Sequence, residues 1–174
     1  MIKKHYYSWT DVERMCVSIV SQMYKDDWKP DYIVGITRGG NVPATIISNM
    51  TGIRCEALKV SLRDGESGKT GDSMLWMAED ALGYGVSAKN ILIVDDINDT
   101  GATFNWIMED WKAGCLPNDS SWKSKVFGKN VRFATLTDNL ASELNSNVSY
   151  TCHEINKADE DVWLVYPWEN IGEY

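Results

Sequence analysis

The residues best placed to do chemistry lie in one run, Ile91-Leu92-Ile93-Val94-Asp95-Asp96-Ile97-Asn98-Asp99-Thr100-Gly101-Ala102-Thr103. Ile91 to Val94 predicts a buried strand, which would carry Asp95 and Asp96 to the C-terminal edge of a sheet, where a small-residue turn opens a helix. Such a turn suits a phosphate dianion. Backbone N–H groups from Asp99 to Thr103 and the hydroxyls of Thr100 and Thr103 supply donors, the helix N-terminus favours negative charge, and Gly101 and Ala102 let a ligand come close. Adjacent carboxylates are costly to hold together without a cation or a polyhydroxyl ligand, so Asp95 and Asp96 point to Mg2+ and ribose hydroxyls. A helix cap or a solvated acid accounts for any one of these carboxylates. It does not account for strand, acid pair, further acid and phosphate turn together.

These residues need a scaffold, and the rest of the chain predicts one. Val12, Met15, Cys16, Ile19 and Met23 recur at helical spacing from Thr10 to about Lys25, with Thr10 and Glu13 as a capping-box start. Tyr32 to Ile36 reads as a buried strand that stops at Thr37-Arg38-Gly39-Gly40, after which Pro43 opens a helix from about Val42 to Met50, ending near Gly52. Arg54 to Val60 looks like a strand. The Gly- and charge-rich stretch that follows, about 63 to 75, reads as an exposed loop of the kind that forms lids. Phe104, Ile107, Met108 and Trp111 mark a helix face, Val131 to Leu136 and Val148 to Cys152 read as strands, and Pro117 to Asn130 as a connecting loop. Alternating strands and helices define an α/β fold, a central parallel sheet with helices on both faces. Val162 to Trp168 is aromatic and apolar and is expected to cap that sheet.

A chain of 174 residues, 44% hydrophobic, fits a single domain spanning 1–174, with a core at about 10–140 and a small cap at about 145–174, to which the N-terminus contributes. A net charge of -8 argues against a general nucleic-acid binder, so phosphate recognition must be local. Cys16, Cys55, Cys115 and Cys152 form no C-x-x-C pair, which leaves reduced thiols rather than zinc or a redox motif. There is no signal-peptide core and no run near the roughly 20 apolar residues of a membrane span, so a cytoplasmic protein away from membranes is expected.

The Ile91–Thr103 run resembles the phosphoribosyl pyrophosphate signature of type I phosphoribosyltransferases: an apolar strand, two acids, then Asp-Thr-Gly-x-Thr. Thr37-Arg38-Gly39-Gly40 followed by Val42-Pro43 looks like that family's pyrophosphate loop in its xanthine-guanine form. There a guanidinium such as Arg38 bonds two phosphate oxygens and the glycines permit the loop's backbone path. Asp161 to Glu169 resembles the hood of bacterial xanthine-guanine members, where Trp163 would stack on a purine and Leu164 would offer its main chain. Trp168 is assigned to packing. The resemblance spans roughly Val34 to Glu169. It implies a Mg2+-dependent purine phosphoribosyltransferase of purine salvage, with Asp99 as general base, Asp96 for Mg2+, Asp95 on ribose or the metal, and a homodimer or homotetramer as the assembly. It also implies a lid, where Arg63 and Lys69 are the basic residues within reach of pyrophosphate.

One position departs from the pattern. Family members that use 6-oxopurines usually carry a lysine near the end of the strand before the hood, and Ala134-Thr135-Leu136-Thr137-Asp138-Asn139 places Asp138 there. A carboxylate repels a carbonyl oxygen and prefers an amino group or a ring N–H. Asp138 equally suits a helix N-cap for a segment starting near Asn139, and a lysine from elsewhere would restore the contact. Two alternatives therefore stand beside the purine transferase: a non-catalytic sensor of phosphoribosyl pyrophosphate, and a transferase of the same fold acting on a pyrimidine or unusual base. His5 and His153 show no partner pattern and receive no role.

Overall fold

A computed structural model describes residues 1–60, 62 and 75–169. In chain order the elements are β1 (Lys3–Tyr6), α1 (Trp9–Lys25), β2 (Tyr32–Thr37), α2 (Asn41–Thr51), β3 (Cys55–Lys59), α3 (Leu75–Leu82), β4 (Ile91–Asn98), α4 (Ala102–Gly114), a π-helical turn (Trp122–Val126), β5 (Val131–Asn139), β6 (Val148–Ile155) and β7 (Val162–Val165). The five-stranded sheet has the order β3-β2-β4-β5-β6, all neighbours parallel, so β4 lies at its centre. The separate two-stranded sheet pairs β1 with β7, also in parallel, setting Lys4 opposite Trp163 and His5 opposite Leu164.

Side chains alternate across the central strands and build two cores. Leu92 and Val94 face one way, with Ile33, Ala134 and Leu136, against Val12, Ile19 and Met23 of α1 and Ala44 and Ile47 of α2. Ile91 and Ile93 face the other way, with Tyr32, Val34 and Phe133, against Met77 and Ala81 of α3 and Phe104, Ile107 and Trp111 of α4. Helices therefore cover both faces, as alternation in the sequence predicts. That double cover explains why β4 begins with four consecutive residues of zero exposure.

Helix α1 starts earlier than expected. Its cap is Ser8 rather than Thr10: the Ser8 hydroxyl accepts from the Asp11 N–H at 3.0 Å, and the Asp11 carboxylate accepts from the Ser8 N–H at 2.7 Å. Ser8 and Asp11 form the same reciprocal pair that Thr10 and Glu13 suggested, two residues upstream. These bonds hold the Asp11 carboxyl below its ordinary 3.8. A depressed carboxylate contributes stability that is present above the unfolded pKa and is lost as pH falls through the folded one. Ser8→Ala removes the hydroxyl that accepts from the Asp11 N–H and keeps the backbone donor to the carboxylate, and is expected to cost about 1 kcal/mol, read by thermal or urea unfolding.

Other boundaries also differ. The polar ends of β4, β5 and β6 remain in strand, so Asp95 and Asp96 are strand residues. Asp138 likewise lies within β5 and caps no helix, because the chain turns at Leu140 and no helix follows before β6. Within the expected connecting loop, Trp122 is buried and donates from Nε1 to the carbonyls of Cys115 and Leu116 at 2.9 and 3.0 Å, which anchors the π-helical turn. All four cysteines are free, Cys16 and Cys115 buried and the other two half-buried. Arg63, Lys69 and nearly all of the expected lid lie outside the described residues; Leu75 opens α3.

Candidate active site

The edge of β4 gathers the expected acids. Asp95 accepts from the Asp96 N–H at 2.9 Å, and Asp96 accepts from the Ile97 N–H at 2.8 Å, which fixes both carboxyls near their own backbone. Burial raises the pKa of each, and for Asp95 the neighbouring Asp96 charge raises it further. Such a pair gains from any ligand that brings positive charge or donors.

The Thr37–Gly40 loop touches that pair. Its Thr37–Arg38 peptide is cis. Asn41 at the start of α2 donates to the Thr37 hydroxyl at 3.1 Å, and the Gly40 N–H donates to the Ile36 carbonyl at 2.8 Å. A Cβ on Gly39 would stand 2.2 Å from Asp96 Oδ2, and one on Gly40 would stand 2.4 Å from the Val94 carbonyl oxygen. Both glycines are needed because the loop packs directly on the strand that carries the acids.

Beyond β4 the turn runs through Asp99 and Thr100 into Gly101, whose φ of 88° is left-handed and whose Cβ would meet the Leu144 nitrogen at 2.5 Å. No side chain caps α4. At the start of that helix the Ala102 N–H donates to the Thr100 hydroxyl at 3.2 Å, and the turn lines a crevice together with Leu62 and residues 95 to 104. Thr100, Gly101, Ala102 and Thr103 all line it, as the sequence predicts for a phosphate cradle.

The base-facing features are distributed differently from expectation. Asp138 accepts from Asn98 Nδ2 at 2.8 Å, and the same amide donates to the Ser142 hydroxyl at 2.8 Å, so Asp138 is engaged in securing β4 to β5. The cation beside Asp99 is Lys157, which follows β6 and which sequence reasoning did not single out; its Nζ lies 3.0 Å from Asp99 Oδ1. Trp163 is 58% exposed, on the opposite face of β7 from the buried Val162 and Leu164. The Leu164 main chain pairs with His5 of β1. Trp168 stacks on Tyr166 with centroids 4.9 Å apart, in keeping with packing.

A second feature absent from the sequence reading is a string of buried hydroxyls. Tyr166 donates to the Asp96 carbonyl at 3.0 Å and lies 3.0 Å from the Thr137 hydroxyl, which is 2.9 Å from the Tyr7 hydroxyl, and Tyr7 in turn bonds His153 Nδ1. Burial and the nearby His5 ring lower the His153 pKa. The string crosses from the residues just after β1 and β7 to the backbone of Asp96.

Among the described residues no cluster of three or more His, Cys, Asp or Glu forms a metal cage. Two adjacent carboxyls nonetheless fit Mg2+, which commonly takes one or two protein carboxylates and completes its shell with phosphate oxygens and water.

A parallel sheet whose central strand carries an acid pair toward its C-terminal end, with a crevice at a helix N-terminus beyond it, is the nucleotide-binding arrangement of α/β proteins. The model of the phosphoribosyl transferase domain family matches residues 3–168, and the chain belongs to that family. The hypoxanthine-guanine phosphoribosyltransferase of Saccharomyces cerevisiae is 28% identical, the alignment covering 96% of this chain and 86% of that protein. The xanthine-guanine phosphoribosyltransferase of Gluconobacter oxydans is 29% identical over 79% of this chain and 67% of its own length. Among solved structures, the purine phosphoribosyltransferase of Pyrococcus horikoshii superposes with a TM-score of 0.65 at 22% identity, covering 99% of this chain and 98% of its own, a likeness of fold.

Proposed function

We propose that the protein transfers ribose 5-phosphate from phosphoribosyl pyrophosphate to a purine of the guanine, xanthine or hypoxanthine type and releases pyrophosphate. The observation that carries this reading is the contact between the Thr37–Gly40 loop and the acid pair at the mouth of the phosphate crevice.

In this reading the turn from Asp99 to Thr103 holds the 5-phosphate through backbone N–H groups and the Thr100 and Thr103 hydroxyls. Asp95 bonds the ribose hydroxyls. Mg2+, bound by Asp96 with Asp95 beside it, would neutralise charge on the departing pyrophosphate. Arg38 and the peptides of Thr37, Gly39 and Gly40 receive that leaving group as the anomeric C–O bond breaks and its electron pair departs with pyrophosphate. A base nitrogen supplies the electron pair of the new bond to the anomeric carbon, and Asp99 takes the proton released from the ring. Trp163 stacks on the base and the Leu164 main chain reads its edge. A lid over about 63–75 would keep water from the sugar cation. The reading extends to a cytoplasmic homodimer or homotetramer; α1 leaves Trp9, Val17 and Tyr24 exposed, apolar surface of the kind a second copy covers. Among the described residues no helix is long and apolar enough to cross a membrane.

The test is pyrophosphate release with phosphoribosyl pyrophosphate, Mg2+ and a panel of guanine, xanthine, hypoxanthine, adenine, uracil and orotate. Release with an oxopurine is expected. Donor binding without release on any base would favour the sensor, and release with uracil or orotate the pyrimidine transferase.

A further inference from the structure

We propose that Lys157 determines base specificity, donating to an exocyclic carbonyl oxygen of the base while Asp99 faces the neighbouring ring N–H. The proposal deepens the purine-transferase reading and rests on it.

Ion pairs on a protein surface are individually weak, and a lysine there is seldom held in one place. Lys157 is held. Its side chain is only 23% exposed, and its backbone N–H donates to Asn139 Oδ1 at 3.0 Å. The other end of the same amide, Asn139 Nδ2, donates to the Asp99 carbonyl at 2.8 Å. Asn139 is 5% exposed at the end of β5 and also accepts from the Ala141 N–H at 3.2 Å. One buried amide therefore clamps the backbone of both members of the pair, and Lys157 Nζ lies 3.0 Å from Asp99 Oδ1 beside the phosphate turn.

An ammonium and a carboxylate side by side present a donor next to an acceptor. Their complement is a ring N–H next to a C=O, which the imidazole edge of a 6-oxopurine offers. A 6-aminopurine sets an N–H2 group against the ammonium, donor facing donor, and is disfavoured. Asp138, whose carboxylate accepts from Asn98, is already bonded within the protein. Two residues on different elements thus replace what one strand-end lysine would do, since Lys157 comes from the turn between β6 and β7.

The experiment compares Lys157→Met and Lys157→Arg with wild type on hypoxanthine and on unsubstituted purine, which lacks the oxygen, and measures donor binding separately. In Lys157→Met, kcat/KM for hypoxanthine is expected to fall about 10- to 100-fold, while the value for purine and the Kd of phosphoribosyl pyrophosphate change by less than about threefold. Lys157→Arg, which keeps a cationic donor, should recover part of the loss. An equal loss on both bases would mean that Lys157 acts only through Asp99 and would overturn the assignment, as would no loss on either. Those outcomes leave the transferase reading standing. Wild-type protein that binds the donor yet transfers to no purine would instead remove the transferase reading and Lys157's role with it.

Discussion

Asp99→Asn is expected to lower kcat by about 100-fold or more while the Kd for phosphoribosyl pyrophosphate moves by less than about threefold. The asymmetry follows from the place of the side chain. In the proposed reading phosphate is gripped by backbone N–H groups and by the Thr100 and Thr103 hydroxyls, which line the crevice, and Asn preserves the backbone contact in which the Asp99 carbonyl accepts from Asn139. What Asn loses is the capacity to take a proton. It also loses the charge that faces Lys157 Nζ at 3.0 Å, so the variant brings an unopposed ammonium to the base. Single-turnover rates with saturating donor, set beside equilibrium donor binding, read the two effects separately. Equal losses in turnover and in donor affinity would remove Asp99 from the proton-transfer role.

Gly40→Ala is the second large effect. The new methyl group would meet the Val94 carbonyl oxygen at 2.4 Å, the Ile36 nitrogen at 2.8 Å and the Asp95 Cα at 2.9 Å, all backbone atoms of the central sheet. None of them can rotate aside, so the Thr37–Gly40 loop must move instead. Overpacking of this kind costs about 1–3 kcal/mol of stability, and displacement of a leaving-group site by about 1 Å costs on the order of 100-fold in rate. Unfolding midpoints and kcat/KM should therefore fall together. Wild-type kcat/KM in a folded Gly40→Ala protein would remove this loop from the reaction.

The site was legible in the sequence where one short segment carries a whole substructure. Ile91 to Thr103 encodes strand, acid pair and turn because an apolar run long enough only for a strand is followed at once by residues too small to cover a helix N-terminus. The placement of Asp95 and Asp96 inside β4 was harder to see, since strand pairing with β5 continues through polar residues and periodicity does not register them. Helix α3 is a short helix of eight residues, and the Trp122 turn draws its hold from two carbonyls rather than from pattern. Lys157 was illegible for a different reason: the Asn139 side chain, bonded at both ends, joins its neighbourhood to that of Asp99, and no spacing rule records such a bridge. Asp138 was read at the right strand end, but its engagement by Asn98 depends on the register between β4 and β5.

The string of hydroxyls beneath the acid pair admits a count of hydrogens. Four contacts join His153, Tyr7, Thr137, Tyr166 and the Asp96 carbonyl, while the three hydroxyls bring one hydrogen each and the carbonyl brings none. One hydrogen for each contact is reached with His153 Nδ1 protonated and Tyr166 serving the Asp96 carbonyl rather than Thr137. In that arrangement every O–H points the same way, from the imidazole toward the peptide of Asp96, and the ends of β1 and β7 are joined to β4 by dipoles in series.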